Sequence, residues 1–377
     1  MQKQSVLIVS GEVSGDLHAS PVVSEMKKLN PDLAFLGTGG ELLEKENIEL
    51  IAHIEEMAVM GFSSLPRVLP LLSKLKRKLV QRVQSDNVKL VILVDYPGFN
   101  LNLASTLKKL PNPPKILEYI APQAWAWRPQ RVKRIRNVID HLAVIFKFEE
   151  EFFSRAGIKT TFVGHPLIEE INPDNLIASG LDTPLPVEKL LAILPGSRRS
   201  VMRRHLGVML KAAYLARKSF PGLKIAIGKA SNIDVSDIKL QKDNFPEIEI
   251  WEDSRKLLRE ADAAFVCSGT TTLEAALLKT PQIIIYKTSL INYYLIKRLI
   301  QIQNVGLVNI VTETSIVPEL LQDDANPEAI FRALSQILRK DCVVSASMLK
   351  GYERIRKILG ERGAAKRVAE IAVGMLD

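Results

Sequence analysis

The sequence predicts an α/β protein made of two doubly wound parallel sheets, and three observations carry the prediction. Short runs rich in Val and Ile alternate with amphipathic stretches, the rhythm of strand, helix, strand. Most of these runs end in a small or polar residue, as buried parallel strands do where they open into a loop. The alternation stops once, at INPDNLIASGLDTPLP (171–186), a stretch rich in Pro, Asn and Asp without periodicity that reads as an interdomain linker, and then restarts. A chain of 377 residues is also too long for one ordinary core.

In the first domain, residues 1–170, the strands are VLIVSG (6–11), LVILVDYP (90–97), ILEYIAP (116–122), HLAVIF (141–146) and TTFVGHP (160–166). LHASPVVSEMKKLN and LPRVLPLLSKLKRKLVQRV supply helices between them. In the second domain, 187–350, the strands are LLAILPGS (190–197), KIAIGKA (224–230), IEIWED (248–253), AAFVCSG (263–269) and PQIIIYKT (281–288). From about Asn326 the pattern is helical only, and the last helix, about 355–377, is the one free to pack back on the first domain. No internal repeat is visible; the halves resemble each other in pattern alone.

A formal net charge of +9 points to an anionic partner: nucleic acid, a phosphorylated metabolite or an acidic membrane surface. Two cysteines, Cys267 and Cys342, give neither a disulfide framework nor a CxxC metal pair, which fits a reducing compartment, the cytoplasm by default. The apolar run in MQKQSVLIVSGE is too short for a signal-peptide core, and no window is apolar enough to span a bilayer. Membrane contact is therefore expected to be peripheral.

Ligands of doubly wound sheets gather at the carboxyl ends of strands, which gives a shortlist. VSGEVSGD (9–16) joins strand to helix; Glu12 and Asp16 place negative charge where a dinucleotide would put its pyrophosphate, so a sugar hydroxyl or a structural cap suits them, with Ser14 between them, better. In VDYPGFN (94–100), Asp95 emerges after an apolar run, as a partly desolvated general base or as a helix cap, with Asn100 beyond it. LPGSRRSVMRRH (194–205) sets Ser197, Arg198 and Arg199 at a strand end as an anion site, while Arg203 and Arg204 read as a solvated helix face. In CSGTTTLEAALLKTP (267–281), Ser268, Gly269, Thr270 and Thr271 open a helix towards a diphosphate, and Glu274 either accepts ribose hydroxyl hydrogens or closes a capping box with Thr271. There is no GxxxxGK[ST] motif, no DxD pair and no His/Cys cluster at metal spacing, so neither metal nor cofactor is expected. His165, in VGHPL beside the linker, reads equally as packing and as ligand contact.

Taken in order, SGEVSGD (10–16), MAVMGF (57–62), VDYPGFN (94–100), PQAWAWR (122–128), VGHP (163–166), LPGSR (194–198) and SGTTTLE (268–274) resemble the lipid-A-disaccharide synthases over nearly the whole chain. That resemblance implies the GT-B architecture, two Rossmann-like domains facing a cleft with a nucleotide held by the second. It implies a donor, UDP-2,3-diacylglucosamine, and an acceptor, 2,3-diacylglucosamine 1-phosphate (lipid X), joined with inversion into a β-1,6-linked disaccharide and UDP. It also implies a Gram-negative setting, on the cytoplasmic face of the inner membrane. Residue by residue, Asp95 matches the family's candidate base, Arg198 its essential arginine and Glu274 its ribose-binding glutamate, with Asn309 and Gln322 on the donor side. Two positions depart from the pattern: Gly98 stands where some members carry a second Asp, and Arg199 where others have Gly.

The acylated substrates focus interest on Met57–Ser85, which holds six cations (Arg67, Lys74, Lys76, Arg77, Lys78, Arg82) and no acid. Met57, Met60, Phe62, Leu69 and Leu72 with Lys74, Lys76, Arg77 and Lys78 are expected to form an interfacial segment; the bland alternative is an amphipathic helix packed on the sheet. In PQAWAWRPQR (122–131), Gln123, Trp125 and Arg128 are expected to line the acceptor pocket, with indole on sugar or acyl chain and guanidinium near the 1-phosphate. A nucleic-acid role is not expected, because single-strand platforms spread their aromatics over a sheet face. The alternative enzyme is another GT-B protein using UDP-GlcNAc, an undecaprenyl-linked transferase or a UDP-sugar 2-epimerase; a second copy of the chain stays open as a partner.

Overall fold

The computed structural model describes residues 4–56, 65–127, 129–171, 188–242, 245, 247–288, 304–339 and 343–376, with backbone alone at 65–69, 126, 127, 129, 130, 241 and 242. Met57, Met60, Phe62, Arg128, Cys342 and nearly all of the linker segment lie outside the described residues, as do the side chains of Leu69 and Trp127. The chain divides into two compact units, Met1–Glu169 with Leu359–Asp377, and Glu170–Ile358.

Unit 1 runs β1 (Ser5–Ser10), α1 (Val13–Leu29), β2 (Ala34–Gly39), α2 (Glu41–Lys45), β3 (Glu49–His53), α3 (Leu65–Ser85), β4 (Val88–Val94), α4 (Pro97–Leu107), β5 (Lys115–Tyr119), α5 (Ala124–Trp127), α6 (Pro129–Val138), β6 (His141–Val144), α7 (Lys147–Arg155), β7 (Thr160–Phe162) and α8 (Leu167–Glu170). Its seven strands pair in parallel in the order β3-β2-β1-β4-β5-β6-β7. β1 is buried at every residue, which is why its sequence is apolar without alternation. Leu75, Leu79 and Val83 of α3, Leu103 and Leu107 of α4 and Ile135 of α6 cover one face of this sheet in a single core cluster.

Unit 2 runs β8 (Leu190–Leu194), α9 (Arg199–Ser219), β9 (Lys224–Gly228), α10 (Val235–Lys242), β10 (Glu249–Trp251), α11 (Ser254–Glu260), β11 (Ala263–Cys267), α12 (Thr271–Leu277), β12 (Gln282–Tyr286), α13 (Leu307–Thr312), β13 (Glu319–Leu321), α14 (Pro327–Leu338) and α15 (Val343–Ile358). Its parallel sheet has the order β10-β9-β8-β11-β12-β13. The last helix, α16 (Ala364–Gly374), belongs to unit 1 and packs on α1. Its start is tied down by Glu169, whose Oε1 accepts from the N–H groups of Gly363 and Ala364, and by Arg367, whose Nε donates to the Val163 carbonyl.

In both sheets the connections reverse direction beside the first strand, between β1 and β4 and between β8 and β11, which places the two ligand crevices of a doubly wound fold. Three strands escape the sequence reading: β2 (AFLGTG) carries two glycines, β3 (ELIAH) has an exposed end, and β13 (ELL) is three residues long.

The helix α3 corrects part of the membrane expectation. Leu75, Leu79 and Val83 are buried in the core and Leu72 packs against it, so this half of the apolar stripe holds the sheet. Lys78 also has a partner, donating from Nζ to the Ile51 carbonyl at 3.0 Å. Lys74 and Arg77 are exposed, Lys76 is half-buried, and Leu71 is 46% exposed.

Candidate functional site

At the unit 1 crevice, two loops meet over the ends of β1 and β4. Gly11 makes the approach feasible: a Cβ there would lie 2.5 Å from the ring of Tyr96, so only glycine lets the aromatic ring of one loop rest on the backbone of the other. Asp95 sits just past the tip of β4 with φ +37°, a left-handed backbone that a non-glycine residue holds only when its surroundings fix it. They do: its N–H donates to the Tyr119 carbonyl, continuing the β4–β5 ladder by one residue, and Ser14 Oγ donates to Oδ2 at 3.4 Å. Ile120 ends β5 in the same way, at φ +69° with its N–H on the Ala143 carbonyl. Glu12, at the head of α1, is exposed and makes no side-chain cap.

Two residues expected to bind substrate here serve the fold instead. Asp16 is buried, and its carboxylate accepts from the N–H groups of Gly40 (2.7 Å), Leu42 (3.0 Å) and Leu43 (3.3 Å), satisfying the start of α2 that nothing else caps. Asn100 is fully buried in the first turn of α4, with Nδ2 towards the Val94 carbonyl and Oδ1 unpartnered among the described residues, so it lies inside the fold rather than facing solvent.

Behind the same crevice lies a residue that was not expected. Glu118 on β5 stands in register with Leu93 of β4 and Leu142 of β6, fully buried, with Oε2 unpartnered among the described residues. Burial, reinforced by the charge of Asp95, pushes its carboxyl up to about 8, so it is mostly neutral at pH 7. The signal in the sequence is one acid inside the apolar run ILEYI.

The PQAWAWR loop is helical at 124–127. Gln123 is exposed. Trp125 is half-buried; its Nε1 donates to Glu149 Oε1 at 2.9 Å and its ring meets Phe148 edge-on at 4.9 Å. Glu149 is itself buried, which raises its carboxyl to about 8 against the opposing hydrogen bonds from Trp125 and the backbone. The indole N–H is thus already used, leaving Trp125 a ring face to offer a ligand. His165 is buried beside Phe146, accepts at Nδ1 from the Leu167 N–H, and is held to about 3 chiefly by burial: a neutral packing residue.

At the unit 2 crevice, β8 opens through Pro195 and Gly196, whose φ of +112° suits glycine, into Ser197 and Arg198. Arg198 occupies the N-cap of the 21-residue α9, exposed; its carbonyl accepts from the Val201 and Met202 N–H groups, while its side chain makes no ion pair or hydrogen bond among the described residues. Its neighbour differs: Arg199 pairs with Asp237 Oδ1 at 2.6 Å, an oxygen it shares with Arg203 at 2.8 Å. Of the two arginines, Arg198 is the one free to meet an anion at the positive end of the helix. His205, two turns further, is buried and bridges the Val201 carbonyl and the Lys287 N–H.

The β11 loop lies alongside, with Cys267 packed near Gly196. Ser268 Oγ donates to the Val305 carbonyl, Thr270 is exposed at the N-cap of α12, and Thr272 bonds back to Gly269. No capping box forms between Thr271 and Glu274; Glu274 pairs with Arg255, a residue without any sequence signal of its own. Asn309 is a correction: buried, it donates to the Val317 carbonyl and Glu319 and accepts from the Ile316 and Val317 N–H groups, which uses every hydrogen bond an amide offers. Gln322, at φ +50°, is buried and bonds both ways to the Thr288 backbone, shaping the end of β13. Among the described residues no cluster of His, Cys, Asp and Glu could hold a metal ion, and no helix is long and apolar enough to cross a membrane.

Two doubly wound parallel-sheet units, each with its crevice beside the first strand, define the GT-B fold class. Solved structures of that class share the fold: a UDP-N-acetylglucosamine 2-epimerase described as putative from Listeria monocytogenes (TM-score 0.65, 13% identity, 98% of this chain and 95% of that one) and the calicheamicin glycosyltransferase CalG4 (TM-score 0.58, 14% identity, 100% and 99%). The family model for lipid-A-disaccharide synthetase matches residues 6–371. Lipid-A-disaccharide synthases of Geobacter metallireducens (37% identical, covering 98% of this chain and 97% of that protein) and Syntrophus aciditrophicus (38%, 100% and 99%) are similar along their whole length. The chain belongs to the lipid-A-disaccharide synthase family of glycosyltransferases, the enzymes that form the lipid A disaccharide.

Proposed function

We propose that the enzyme condenses UDP-2,3-diacylglucosamine with 2,3-diacylglucosamine 1-phosphate, with inversion, to the β-1,6-linked disaccharide 1-phosphate and UDP. Unit 2 holds the UDP moiety between the β8 and β11 loops, through Ser197, Arg198, Ser268, Gly269, Thr270, Thr271 and Glu274. Unit 1 takes the acceptor near Glu12, Ser14, Asp95, Gln123 and the face of Trp125. The acceptor 6-hydroxyl attacks donor C1; the C1–O bond to UDP breaks, the new C1–O6 bond forms, and the hydroxyl proton passes to Asp95. A positioned base of this kind contributes roughly 10²–10⁴-fold. Arg198 and the α9 amides offset the charge that develops on the departing diphosphate.

The observation that carries the reading is the contrast in the two crevices: a fixed carboxylate, Asp95, in one and an unpaired cation, Arg198, in the other. We also propose that the enzyme works as a peripheral protein on an anionic membrane surface, the cytoplasmic face of the inner membrane, through the exposed cations of α3 and the segment preceding it. The test is incubation of the purified protein with both diacylated substrates and detection of disaccharide and UDP. Turnover of UDP-GlcNAc with a polyprenyl or epimerised product, and none with the diacyl pair, would replace this reading with the other GT-B one.

A further inference from the structure

Arg255 has no place in the chemistry described so far, yet it binds the residue assigned to the ribose. It lies on α11, half-buried, with Nε 2.8 Å from Glu274 Oε1 and Nη2 2.8 Å from the same oxygen. The same Nη2 reaches Oε2 of Glu170 at 2.5 Å. Burial works against the guanidinium charge, but the two carboxylates outweigh it and hold its pKa above the ordinary value.

This arrangement fixes one oxygen of Glu274 and leaves the other open. Oε1 sits in the notch between Nε and Nη2, a planar grip that sets the carboxylate's orientation as well as its place. Oε2 accepts no hydrogen bond among the described residues, and the capping box that would have occupied it is absent. Glu274's side chain is only 16% exposed, so without a cation it would be a poorly solvated charge free to rotate. The charge that Glu274 carries at Oε2 repels a phosphate there and favours a neutral group with hydrogens to donate, a vicinal diol.

We infer that Arg255 is a positioning residue for nucleotide recognition: it holds Glu274 so that Oε2 accepts from the two ribose hydroxyls of the donor, with Glu170 as the second anchor of the guanidinium. The inference rests on the reading of Glu274 as the ribose contact.

The experiment measures affinity of the full chain for UDP and for 2′,3′-dideoxyuridine 5′-diphosphate by calorimetry. The wild type prefers UDP on the order of 10- to 100-fold, the worth of hydrogen bonds to a charged acceptor. Arg255→Ala reduces that preference to about 3-fold or less while leaving dideoxy-UDP affinity near wild type, and Arg255→Lys, which keeps the charge without the planar grip, falls between. Glu170→Gln retains most of the preference, because Glu274 keeps its grip. Equal weakening of both ligands in Arg255→Ala, or an undiminished preference in a well-folded variant, overturns the inference. Should Arg255→Ala not fold, the lysine variant decides: a preference equal to wild type counts against the grip. A wild type that binds both nucleotides equally removes the ribose reading of Glu274 itself.

Discussion

The two units share a strand order about their crevices and differ in the charge placed there. Where β1 and β4 end, unit 1 presents Glu12, Asp95 and, buried behind them, Glu118. Where β8 and β11 end, unit 2 presents Ser197, Arg198 and a row of hydroxyls. Topology supplies the same crevice twice; in the function we propose, side chains decide which one meets a hydroxyl that must lose a proton and which one meets a diphosphate that gains charge. The backbone follows the division: a strained residue aims the carboxylate in unit 1, while in unit 2 a long helix start aims the cation.

The sharpest way to break the contrast is to remove one pole. Asp95→Asn keeps size and the Ser14 contact but takes away the base; kcat is expected to fall by about 10²–10⁴ with UDP affinity within a few-fold of wild type. Near-normal turnover would move the base elsewhere in unit 1. Next in size is the opposite pole. Arg198→Ala is expected to weaken UDP binding by about 10- to 100-fold, the loss of a charge-assisted contact to a diphosphate. Arg199→Ala should change it by a few-fold, since Asp237 already engages that guanidinium. Equal losses in the two variants would mean that the pairing with Asp237 yields to the nucleotide.

Much of this division was legible in the sequence, and the failures have a common cause. Asp95, Arg198 and the SGTT turn stand directly after apolar runs, so the strand end that positions them is visible in one dimension. Asp16, Asn100 and Asn309 are polar residues of the kind expected at such sites, but their partners lie 24 to 27 residues on, six residues back and seven to ten residues on, and only folding shows that they are buried. Arg255 and Glu149 are the converse: helix residues without local signal that acquire meaning from Glu274 and Trp125 across the fold. In α3 the periodicity was plain, but a packed helix and an interfacial one share that pattern, and burial of Leu75, Leu79 and Val83 assigns half of it to the core.

That assignment narrows the membrane test to the cations that no hydrogen bond among the described residues ties to the sheet. Reversing Lys74, Lys76 and Arg77 to Glu should weaken sedimentation with anionic vesicles, by about 1 kcal/mol per charge removed near the surface, with the thermal midpoint little changed. Lys78 is left out because its bond to Ile51 would confound the stability readout. Unchanged vesicle binding would return all of α3 to packing.

The smallest expected effect on turnover sharpens the contrast from inside unit 1. With its carboxyl raised to about 8 in the folded chain and near 4.5 when unfolded, Glu118 binds more protons folded than unfolded between those values. Stability therefore falls as pH rises through that window. Glu149 contributes in the same direction, and His165, held to about 3, acts oppositely and only below 6.5. Glu118→Gln mimics the protonated acid and removes one titration. Its melting temperature should match wild type at pH 5 and exceed it at pH 8, with activity at pH 7 nearly unchanged. A constant difference between the two pH values would mean that Glu118 is ionised throughout, and that unit 1 carries a second fixed charge behind Asp95. The neutral form leaves Asp95 and Glu12, both outside the buried strand, as the acids that set the charge of that crevice.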